Sequence, residues 1–223
     1  MKAISAMLVA FASLAITSVL VCAQPAQTKK SRAVNGQVLT SPELPAVRVK
    51  FDKPFKYVGT QSFVLYDVAN AEQHFFVDAD KQGRVRRLYW VQFEGYLPNN
   101  THSYNYRVNK TVNLGGLDFI ADAYARNKKT SQSRPGSDGS RALAFLESKG
   151  LRMGSDEIVS QRLVHLIDEA KRNELMIIYI EDLSALGFTA ADLAPDGKAA
   201  AKWTQVSQGL LDRAVKGMQI SKL

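Results

Sequence analysis

The side chains able to do chemistry are few and scattered. His74, His102 and His165 are the three histidines of the 223-residue chain, and neither an HxH nor an HExxH spacing brings any two of them together locally, so no metal is expected. His165 stands between Val164 and Leu166, as a hydrogen-bonded histidine of a sheet would. No serine occupies a GxSxG turn. The one cysteine, Cys22, lies in an apolar leader, so a mature chain would carry neither a thiol nucleophile nor a disulfide. Asp78, Asp80 and Gly83 match the start of a calcium loop, but Tyr89 stands where that loop needs its closing carboxylate, and a hairpin turn explains them better. Gly115-Gly116 lacks the spacing of a phosphate loop. No cofactor is expected.

Chemistry is concentrated in one run, RVRRLYWVQFEGY. Read as a strand, it places Leu88, Trp90, Gln92, Glu94 and Tyr96 on one face and Val85, Arg87, Tyr89, Val91 and Phe93 on the other. An acid and an amide among aromatics is the lining of an amphipathic pocket, and these five residues are the candidate ligand-binding face. In the competing reading Trp90 and Tyr96 are core, and Glu94 pairs with an arginine of a neighbouring strand. The run lacks the glycine and residue order of an RNA-binding strand, so nucleic acid is not an expected partner. For an enzyme, Glu94, His74 and His165 are the available acid-base groups, and they would have to converge in a cleft.

The elements that must position these groups follow from periodicity. Alternating segments at Val47 to Asp52, Tyr57 to Asp67, Gln73 to Asp78 and Arg84 to Tyr96, with a weaker one at Ser103 to Val108, predict antiparallel strands. Leu117, Ile120 and Tyr124 in GGLDFIADAYARN predict a helix. A breaker-rich connection, Lys128 to Gly139, leads to a second helix capped by Ser140 or Asp138 and ended by Gly150. Residues 158–170 fit either a helix or a strand; ELMIIYIEDL after a polar DEAKRN favours a two-stranded hairpin. Thr189 and Asp192 form a capping pair, and a long final helix places Trp203, Val206, Leu210, Ala214 and Met218 on one side. The expected fold is an α+β domain: a mostly antiparallel, curved sheet covered by helices, with a long C-terminal helix.

Residues 1–23 read as a signal peptide, with basic Lys2, an apolar stretch from Met7 to Val21 and small residues before Gln24. An uncleaved anchor and a lipid-modified Cys22 are the alternatives. Residues 24–43, rich in Gln, Pro, Thr, Lys and Ser, are expected to be a flexible linker, and residues 44–223 a single domain. The net charge of +8 is spread along the chain among acidic residues, which predicts a solvated surface and weak contact with an anionic membrane surface. The expectation is an exported, periplasmic or secreted domain that binds an apolar or amphipathic small ligand or lipid. A hydrolase and an interaction module of an envelope assembly are the alternatives.

Overall fold

The computed structural model describes residues 32–131 and 133–223. The signal peptide and the first part of the expected linker, residues 24–31, lie outside the described residues. Among the described residues, twelve strands and three α-helices follow in the order β1 (Ala33–Asn35), β2 (Val38–Ser41), β3 (Val47–Phe51), β4 (Lys56–Leu65), β5 (Ala69–Ala79), β6 (Arg84–Tyr96), β7 (Thr111–Leu114), β8 (Leu117–Asn127), α1 (Asp138–Ser148), β9 (Arg152–Met153), β10 (Glu157–Leu166), β11 (Asn173–Asp182), α2 (Ala190–Leu193), α3 (Trp203–Lys216) and β12 (Met218–Lys222). The architecture is α+β, mostly antiparallel sheet with few helices. A small sheet runs β1-β2-β3-β12, and a large one runs β4-β5-β6-β11-β10-β8-β7, with β9 beside β6.

Alternation along β6 serves two cores. Tyr89, Val91 and Phe93 join Phe51, Phe55 and Leu39, together with Leu210, Leu211 and Ala214 of α3. Leu88 and Trp90 join Phe75, Ile178 and Met176, with Ala142 and Leu146 of α1. Val85, expected beside Tyr89, belongs to the second core instead. The register shifts between Asp78 and Ala79, so Arg86 is an extra residue in its strand and everything before it changes face. Arg86 and Arg87 consequently both reach Asp78.

Three expectations are corrected. Residues 33–41 of the expected linker form the β1–β2 hairpin, in which Leu39 is fully buried opposite Val49. Its few apolar residues are held by distant partners, which composition does not reveal. The predicted helix at GGLDFIADAYARN is strand β8: Gly115 (φ 61°) and Gly116 (φ 80°) make a tight turn from β7, and Leu117, Phe119 and Ala121 alternate into the core. Ser103 to Val108 forms no strand. Smaller shifts affect the helices. Ser137 caps α1, accepting from the Ser140 amide, and α3 stops at Lys216, leaving Met218 to begin β12 against Phe51. The hairpin β10–β11 and the Thr189–Asp192 capping box form as expected.

Candidate functional site

The five predicted residues divide along β6. Leu88 and Trp90 are 2% and 5% exposed within the α1 core. Gln92, Glu94 and Tyr96 continue on that face into a polar row. Gln61 of β4 donates to Gln73 of β5 (2.7 Å), Gln73 to Gln92 (2.7 Å), and Gln92 to Glu94 Oε2. The Trp90 indole N–H also donates to Gln92 (3.2 Å). Gln73 and Gln92 each accept at the carbonyl from one neighbour and donate through the NH₂ to the next, so the row has a direction and ends on an acceptor.

Glu94 lies directly opposite Glu174 of β11, a cross-strand arrangement that sets Cβ atoms about 5 Å apart. Tyr104 donates to Glu94 Oε1 (2.8 Å), and Tyr106 to Glu174 Oε2 (2.7 Å). Burial pushes the Glu94 carboxyl above its ordinary range against the pull of these hydrogen bonds. Burial, reinforced by the charge of Glu94, raises Glu174 to about 8, although the Tyr106 bond and Arg162 oppose it. Sequence reasoning missed Glu174, Tyr104 and Tyr106. The ELM of ELMIIYIEDL put an acid at a strand start, but only the register shows which acid it faces.

Around this end of the sheet opens a cleft of about 630 Å³. Glu94 and Tyr96 line it, together with Phe63, Phe93, Asn70 and Asn173; the segment entering from β1 contributes Arg32, and Leu44 stands at the side. Strand alternation turns Glu72, Phe93 and Gly95 to the face opposite Glu94. Gly95 lets the Asn173 side chain lie against its backbone, since a Cβ there would meet Asn173 Oδ1 at 2.3 Å. Arg32 lies 3.7 Å over the Phe93 ring and donates to Glu72 (2.8 Å), Ser41 Oγ (3.1 Å) and the Leu44 carbonyl (3.0 Å). These bonds tie the small sheet to the large one. The carboxyl of Glu72 is held down at about 2, chiefly by the hydrogen bond to His74 and also by Arg32, against the upward push of burial.

The acid-base candidates do not converge. His74 is 2% exposed, bonded through Nε2 to Glu72 (2.8 Å) and reached by the Tyr57 hydroxyl at 3.4 Å. It shares the face of Phe93, away from Glu94. His165 lies across the sheet on β10, with Nδ1 3.0 Å from the Asp118 carbonyl. His102, near Tyr96, belongs to the loop after β6. Among the described residues no group of His, Cys, Asp and Glu is arranged to hold a metal ion, and no helix is long and apolar enough to cross a membrane. The chain matches no family model, no curated protein and no solved structure.

Proposed function

We propose that the protein is an exported binding domain and that its ligand, a small amphipathic molecule bearing hydroxyl or amine donors or the head of a lipid, occupies the cleft at the end of the large sheet. The observation that carries this reading is the lining: Phe63, Phe93 and Tyr96 offer apolar surface, while Glu72, Asn70 and Asn173 offer acceptors within one 630 Å³ space. A volume of that order suits a small molecule, and a few polar groups among aromatics fix its orientation. Leu88 and Trp90 serve in this reading as the packed floor that stiffens β6, with Gln92, Glu94 and Tyr96 as its cleft-proximal part. In this reading the large sheet is curved and covered by the helices. Export and the positive net charge also fit weak contact with an anionic membrane surface.

A hydrolase has less support, because His74 is almost wholly buried and lies apart from both Glu94 and His165. Native mass spectrometry of the mature protein, isolated from cells that export it, tests the proposal. The expected result is an added small-molecule mass that disappears in Asn70→Trp, which fills the cleft from an exposed position. A bare polypeptide mass, or an adduct unchanged in Asn70→Trp, would overturn it.

A further inference from the structure

The acidic pair is asymmetric. Both oxygens of Glu94 are acceptors, Oε2 from Gln92 and Oε1 from Tyr104, and the one-way glutamine row behind Gln92 fixes that role. Among the described residues Glu174 accepts from Tyr106 alone. Two facing carboxyls that are largely removed from water cannot both ionise cheaply, so the proton belongs on Glu174 and the charge on Glu94. The pair titrates as a unit.

The cover over this pair is thin. Residues 97–110 contain no helix or strand. Their ends are pinned to the sheet, where the Leu97 amide donates to the Val68 carbonyl (2.8 Å) and the Lys110 carbonyl accepts from the Ala121 amide (2.9 Å), with Lys110 Nζ on Gln208 (2.6 Å). Between those ends they are held by the two tyrosine bonds, by the Tyr104 amide on the Lys171 carbonyl (2.8 Å) and by Arg172, which donates to the carbonyls of Leu97 (2.9 Å) and His102 (3.0 Å). Tyr96, Tyr104 and Tyr106 stack in succession, at 4.5 and 6.3 Å between centroids. Tyr104 is 7% exposed in a stretch whose neighbours are open to solvent. The charges facing the pair from surrounding elements are also few. Arg162 of β10 lies 5.2 Å from the Tyr106 ring centroid but is already committed to Asp122 at 2.7 Å. Asp138 at the start of α1 adds negative charge to both glutamates. Arg172, near Tyr96, is engaged with backbone. One residue beyond the pair, Gly95 faces Asn173, and these two, with Tyr96 and Pro98, line the cleft.

We propose that the Glu94–Glu174 pair is a proton-operated latch: with Glu174 protonated the tyrosines hold residues 97–110 against the sheet and keep the cleft walled, and its ionisation drives one glutamate and its tyrosine outward, releasing segment and ligand. The latch stands on the geometry of the pair; its effect on ligand rests on the binding function proposed above.

Limited chymotryptic cleavage at Tyr104 and Tyr106, normalised at each pH to the cleavage of unfolded protein, tests the latch without any ligand. Between pH 6.5 and 9 the normalised rate is expected to rise about tenfold in the wild type, as one unit of coupled titration allows, and to stay flat in Glu174→Gln, which keeps an acceptor for Tyr106 but cannot ionise. A flat wild-type profile, or a Glu174→Gln profile that rises as the wild type does, overturns it. Tyr106→Phe gives an independent check, because cleavage at pH 6.5 is expected to rise several-fold, and a wild-type rate would contradict the latch. Native mass spectra of the wild type at pH 6.5 and 9 then test the coupling: the small-molecule adduct is expected to be lost at the higher pH. Its retention while the segment opens would overturn the coupling, whereas absence of any adduct would count against the binding function and leave the latch to the cleavage result.

Discussion

Arg32 and Glu72 illustrate how one ionic contact can hold two sheets together and shape a site. The arginine side chain is 7% exposed and the glutamate 27%, so removing the arginine leaves a half-buried carboxylate facing His74 without its cation. Arg32→Ala is expected to cost about 3 kcal/mol, toward the lower end for breaking a buried pair, measurable by urea denaturation. The pH consequence has a definite sign. Glu72 is held well below its ordinary value in the folded chain, down to about 2, so its contribution is present above about pH 4.5 and is lost as pH falls toward 2. Glu174 acts in the opposite direction: raised to about 8, it favours the fold below about pH 4.5, and that advantage is lost as pH rises through 8. In thermal melts Glu174→Gln is expected to exceed the wild type by roughly 5 °C at pH 9 and by little at pH 5. An equal difference at both pH values would contradict the assignment of the proton to Glu174.

At the level of elements, Gly36 and Gly115, two of the left-handed glycines of the hairpin turns, separate backbone strain from packing. Gly36 (φ 58°) has nothing within 4 Å of an added Cβ, whereas at Gly115 (φ 61°) the Cβ would lie 2.2 Å from the Ile220 carbonyl oxygen of β12. Gly36→Ala is expected to cost about 1 kcal/mol from conformation alone, and Gly115→Ala about 2 kcal/mol more because β12 must move. Equal costs in urea unfolding would contradict this. The same glycine pair shows why part of the fold was legible in the sequence and part was not. In β6, alternation of large residues from Arg87 to Tyr96 leaves a single reading, and only the extra Arg86, which puts Val85 on the other face, was hidden. In β8, Leu117, Ile120 and Tyr124 happen to satisfy the helical period too, and only the pairing with Val112 and Leu163 across two neighbouring strands decides for Phe119 and Ala121 as the buried set. The β1–β2 hairpin was illegible for a related reason, since its stability resides in β3 and Glu72. Of the candidate site, Gln92, Glu94 and Tyr96 were readable from alternation, but their partners Gln73, Glu174 and Tyr104 required the register.

For the whole molecule, β6 is the common wall of two cores, and it carries the consequences of each to the cleft. On one side Tyr89 donates to the Ala214 carbonyl of α3 (2.6 Å); on the other, Trp90 closes over the α1 core and bonds to the glutamine row. Trp90→Ala is expected to lose about 4 kcal/mol of stability, and Trp90→Phe, which forfeits the indole N–H but most of the ring volume remains, about 1–2 kcal/mol. Beyond Phe93 the strand leaves both cores, and its residues from Phe93 to Tyr96 meet the cleft. The most direct test of that cleft as the binding site is a crystal structure of the protein isolated from the cells that produce it. The account predicts electron density for a non-protein molecule between Phe93 and Asn173. Ordered water alone in the cleft, or the molecule bound elsewhere on the chain, would contradict it.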